Sequence, residues 1–198
     1  MIPEIEKHLY QSIESFKSIA NLLEDKIVGN NERQTLLIGY FDICMEHIQS
    51  IHLLINNKLF GSAFALIRPF YETYYRALWM LKFATDTEVK GITTGKFTFS
   101  GMGTKIKELD TIYTGTDFFE QLKKNSWNAM CDYAHTGSLQ LSRRWKEDEL
   151  EPNYEDGEII EVIKGTETIL LMFAYVVLKE HNYTTEAEII NSLLIKTT

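Results

Sequence analysis

Apolar residues recur every three or four positions along nearly the whole chain, and this period is the strongest limit on what the chain can fold into. From Pro3 to about Ile27 the apolar positions are Ile5, Leu9, Ile13, Phe16, Ile19/Ala20 and Leu23, one face of a helix, with Gly29-Asn30-Asn31 as its stop. Asn31 to Gln34 resembles a capping box, and a seam of Leu37, Tyr40, Cys44, His47, Ile51 and Ile55 then predicts a second, long helix to about Asn56. A third helix over 60–84 is apolar almost all round, as a helix surrounded by neighbours must be. Pro69 inside it removes a backbone donor and disfavours the helical conformation at Arg68, so a kink or restart is expected there.

The same reading continues to the C-terminus. Thr85 to Glu88 is a capping-box pattern for a short helix, and 91–103, with four glycines in GITTGKFTFSGMG, reads as a flexible connector. Neither GxxxxGK[ST] nor GxGxxG is present there, which argues against a phosphate loop. Short helices follow over 105–113 and 138–145, with a longer one between them from Asp117 to about His135. A strong helix then spans 158–179, and Thr185 to Glu188 caps the last one. Without any alternating strand pattern, the expected fold is all-α: one helical domain over 1–198, a bundle of about five long helices plus short ones.

Composition narrows the class. Hydrophobic residues make up 44 % and prolines only 3 positions, as in ordinary globular chains. The longest apolar run, Ile169 to Leu178, is half of what a bilayer span needs, and the N-terminus lacks the pattern of a signal peptide. Cys44 and Cys131 form no CxxC and no disulfide framework, so a reducing, cytoplasmic setting is expected. The net charge of −8 disfavours general adhesion to nucleic acid or anionic membrane, and the basic stretch at 142–146 is offset at once by Glu147-Asp148-Glu149.

Two polar groupings stand out. Arg68, Glu72 and Arg76 stack at i, i+4 and i+8 on the third helix, where Glu72 can pair with both arginines. On so apolar a helix the stripe reads either as a covered ion-pair network or as the wall of a polar pocket. In the helix ending at His135, Lys124, Asn128, Cys131 and His135 share one face, while Phe118, Leu122, Ala129 and Tyr133 share the opposite one. His135 can cap free carbonyls at the helix end or shuttle a proton, and Asn128 could orient a ligand. His47, on the apolar seam, reads as a core histidine and His52 as its flank; the pair diverges too far to share a metal, and no metal site or cofactor is expected. No GxSxG supports a serine nucleophile.

The segments ALIRPFYETYYRALWMLKFA (65–84) and NAMCDYAHTGSLQLSRRW (128–145) together resemble a family of uncharacterised bacterial all-helical proteins associated with mobile and defence loci. More distantly the chain resembles HEPN-type domains, helical bundles of toxin and antiphage ribonucleases that dimerise and place an arginine and a histidine at a groove. Their usual arginine lies four to six residues before the histidine, where this chain has Met130, Ala129 and Asn128. The resemblance therefore implies an altered site, with His135 as general acid or base, Arg68 stabilising phosphate charge and Asn128 beside them. Glu72, Arg76, Tyr133 and Lys124 complete the expected binding set. It further implies a homodimer acting on RNA or a nucleotide; the alternative is a non-catalytic module that binds a protein partner.

Overall fold

In the computed structural model, residues 2–24, 26, 29–99, 102–113 and 117–197 are described. They form an all-α fold, with no strand among them beyond a single bridge between Lys146 and Glu149. Five long helices carry it: α1 (Pro3–Leu23), α2 (Glu32–Asn56), α4 (Ile67–Lys82), α7 (Phe118–Ala134) and α9 (Asp156–Glu180). Shorter ones fill in: α3 (Phe60–Ala65), α5 (Asp86–Thr93), α6 (Met102–Tyr113), α8 (Ser138–Ser142) and α10 (Thr184–Thr197).

The packing follows the apolar period. α2, α4 and α9 meet in the main core, where Leu37, Phe41 and Cys44 face Phe70, Tyr74 and Phe173. Each such buried side chain contributes roughly 1.5–3 kcal/mol. α1 and α10 cover α9, while α6 and α7 cover α4. That double cover is why α4 is apolar on so much of its surface. A second cluster at the other end joins Ile5, Leu9 and Ile55 to Phe64, Tyr133 and Ile163.

Two expectations change. The segment expected as one helix breaks at Leu66, two residues before the anticipated kink at Arg68. The cause is still Pro69: as the third residue of α4 its missing N–H falls among the amides that a new helix leaves unpaired. On α2 the roles of the two histidines are exchanged, because the seam follows Phe41, Cys44, Ile48 and Ile51 and turns His52, not His47, into the core. The described part of the glycine-rich connector is fastened to the bundle. Phe97 stacks on Trp79 at 5.9 Å and Phe99 meets the same indole edge-on, while Lys105 Nζ lies 3.2 Å from its ring centre. Ser100 and Gly101 of that connector, and Ile27 at the expected end of the first helix, lie outside the described residues.

Candidate functional site

α4 presents Arg68, Glu72 and Arg76 on one face because its period brings every fourth residue round to the same side. Arg68 Nε donates to Glu72 Oε1 at 2.9 Å and Arg76 Nη2 donates to Glu72 Oε2 at 2.9 Å, so one carboxylate holds both guanidinium groups. The Glu72 side chain is 18 % exposed, Arg68 24 % and Arg76 37 %: neither a sealed network nor an open surface ladder.

Across from this stripe lies α7. Its N-terminus is fixed by Asp110 of α6, which accepts from the Phe119 amide at 2.7 Å and the Glu120 amide at 2.9 Å. Its C-terminus ends at His135, whose own N–H still bonds to Cys131 O. Thr136 then turns through the left-handed region (φ 57°), and Asp132 reaches over to accept from the Leu139 amide at the start of α8. This turn lets the imidazole swing to α4, where Arg68 Nη1 contacts His135 Nε2. Since a guanidinium only donates, Nε2 is the acceptor there, which puts the ring proton on Nδ1 in the neutral form.

Aromatic rings border the pair. The Arg68 guanidinium lies 5.4 Å from the Trp127 ring centre, Lys123 Nζ lies 5.9 Å from the same ring, and Arg76 lies 5.2 Å from Phe99. Behind Arg76 stands Tyr40, whose phenol burial pushes up in pKa while the guanidinium pulls it back. Arg76 Nε is buried with no hydrogen-bond partner among the described residues. The cluster therefore holds two arginines and one carboxylate at half-buried positions and one exposed imidazole, beside a π-face and an ammonium group.

The expected residues divide accordingly. Arg68, Glu72, Arg76 and His135 come together. Asn128 and Lys124 lie exposed on α7, with no hydrogen bond to the pair among the described residues. Tyr133 belongs to the second core cluster, stacked edge-on with Phe64 at 5.0 Å and near Arg143 and Glu158. The sequence reading missed Trp127, Lys123, Phe99 and Tyr40. Trp127 carried a usable signal: it falls two helical turns before His135 and one after Lys123, an aromatic residue on the polar side of an amphipathic helix. Among the described residues no group of three His, Cys, Asp or Glu could hold a metal ion, and none of the helices is long and apolar enough to cross a membrane.

Residues 41–192 match the DUF6988 family, described as a family of unknown function. No curated protein and no solved structure matches the chain.

Proposed function

The chain belongs to the DUF6988 family, and from its geometry we propose a metal-independent endoribonuclease of HEPN-like character, acting as a homodimer in bacterial defence or toxin systems. The observation that carries this reading is the contact of Arg68 with His135, 67 positions apart in sequence, beside Trp127. A nucleobase stacks on Trp127, and Arg68, which Glu72 holds in orientation, turns its fork to the phosphate. His135 Nε2 takes the proton from a ribose 2′-hydroxyl. That oxygen attacks phosphorus, the bond to the 5′-oxygen breaks, and water supplies the proton the leaving oxygen needs. The products are a 2′,3′-cyclic phosphate and a 5′-hydroxyl. Single-stranded RNA is the expected substrate, because in a helix stacked bases have no free face for Trp127. No cofactor enters the scheme.

The test is incubation of purified protein with total RNA or tRNA in chelator, beside Arg68→Lys and His135→Ala. Wild type should cut, with cyclic-phosphate ends, and His135→Ala should lose about 100-fold or more. Arg68→Lys should also lose activity, because a point charge cannot replace the fork. No cutting by wild type at high protein concentration defeats this reading. The second reading, a non-catalytic helical interaction module, draws on Arg68 being engaged at both Nε and Nη1 inside its own fold. In that case Arg68→Ala and His135→Ala lower the melting temperature by several degrees and change no activity.

A further inference from the structure

A different hollow lies where α1, α9 and α10 meet, a cavity of about 470 Å³ that shares no lining residue with the Arg68 cluster. Its floor carries Glu167 of α9, 6 % exposed. Ser15 Oγ donates to Glu167 Oε1 at 2.6 Å, and the other carboxyl oxygen takes no hydrogen bond among the described residues. Around this floor stand Lys7, His8, Tyr10 and Glu14 of α1, Lys164 of α9 and Lys196 of α10. Their charges do not cancel. Glu14 is already paired with Lys17 at 2.8 Å, Lys7 is only loosely paired with Glu4 at 3.9 Å, and Lys164 and Lys196 have no ion pair among the described residues.

We propose that this cavity binds a small anionic metabolite headed by a carboxylate or a phosphate, with Lys164 and Lys196 meeting its charge and Glu167 bonding to it from below. A volume of this size suits a ligand of metabolite scale. An anion in the hollow meets the two ammonium groups that line it, neither of which has an ion pair among the described residues. Burial raises the pKa of Glu167, with Ser15 and then His8 and Lys164 opposing the shift. The carboxyl is therefore held toward its protonated form. In that form, with Oε1 accepting from Ser15, Oε2 would carry the proton and offer it to the ligand as a donor. Binding then requires that proton, so affinity is full at low pH and declines as pH rises through the raised pKa. His8 lines the same hollow, so the Glu167 contribution is read from its own variant.

Calorimetric titration with sulfate and with propionate distinguishes the two head groups, since neither probe changes charge between about pH 6 and pH 8. One of them should bind, more weakly at the higher pH, with proton uptake on binding. Lys164→Ala with Lys196→Ala, both at exposed positions, should weaken binding by at least about tenfold at either pH. Glu167→Gln keeps a donor at the floor and should keep binding while abolishing the pH slope. Failure of both probes to bind, indifference to the lysine changes, or a slope that survives in Glu167→Gln each overturns the proposal. None of these outcomes bears on whether Arg68 and His135 cut RNA.

Discussion

His52 and His135 carry the same imidazole into opposite surroundings, and the contrast decides what each can do. His135 stands exposed at the end of α7 with Nε2 turned to a guanidinium. His52 is sealed between α1 and α2, with Nε2 2.8 Å from Ser12 Oγ and the ring edge-on to Phe16 at 6.4 Å. Burial lowers its pKa from 6.5 to about 4. A base whose folded pKa is depressed takes up its proton more readily in the unfolded chain. Its contribution to stability is therefore complete above pH 6.5 and is lost as pH falls towards 4. The loss over that window is on the order of 3 kcal/mol. His52→Gln, which can still bond to Ser12 and does not titrate, should remove this part of the acid sensitivity. Urea unfolding of both proteins at about pH 7 and pH 4.5 measures it. Equal losses in variant and wild type refute the assignment. Nothing local in the sequence marks His52 as the buried one: the two histidines differ by five positions, and a seam drawn through Tyr40 and His47 misses the one drawn through Phe41 and Ile48 by a single step round the helix.

At the scale of elements, the short turn CDYAHTG couples two helices through one carboxylate. Asp132 caps α8 by accepting from the Leu139 amide. It fits there only because Gly137 has no side chain, since a Cβ at 137 would run into the Asp132 carboxylate. The φ of Gly137 is −74°, so contact, and not left-handed backbone, is what requires glycine at this position. Gly137→Ala should displace the cap and cost about 2 kcal/mol, while Asp132→Ala alone should cost about 1 kcal/mol. In the double variant the clash has vanished, so the two losses should fall well short of adding. Thermal melts of the four proteins give the cycle, and simple additivity would falsify the contact. The elements themselves were legible, because a period of three to four survives any tertiary arrangement: α1, α2, α7 and α9 sit close to where their apolar residues predict them. Which side of a helix meets which neighbour was not. Lys124 and Asn128 share a helical face with His135 in sequence, yet α4 meets α7 through Phe119, Trp127 and His135, and the other two are left exposed. The Trp79 clasp was hidden for a similar reason, because glycine spacing suggested freedom and said nothing of two phenylalanines finding an indole.

At the scale of the molecule, a net charge of −8 coexists with a face where Arg68, Arg76, Lys105 and Lys123 gather round Trp79, Trp127 and Phe99. Carboxylates stand among these cations, Glu72 holding both arginines and Glu108 accepting from Trp79 Nε1 at 2.7 Å, so the face is mixed in sign and not uniformly basic. A surface for self-association has its own physical marks. Leu141, Trp145 and Leu150 are 60 %, 49 % and 75 % exposed, and Leu53 and Leu59 are 64 % and 54 % exposed. The two groups belong to one end of the bundle, because Gln140 Nε2 of α8 donates to Gly61 O of α3 at 3.2 Å. Large side chains so exposed and so close gain from being covered, and a second copy of the same end is the simplest cover, through a two-fold contact. Light scattering should then report twice the 23.0 kDa chain mass at micromolar concentration. Trp145→Asp with Leu150→Asp should shift it to a single chain, with little change in the melting temperature of the monomer because neither side chain supports the core. A single chain at every concentration removes the dimer and with it this use of the end. A dimer that survives both substitutions moves the interface elsewhere. If the RNA-cutting site needs two copies, the aspartate variants also lose cutting in proportion to the dimer they lose, although they leave Arg68 and His135 untouched.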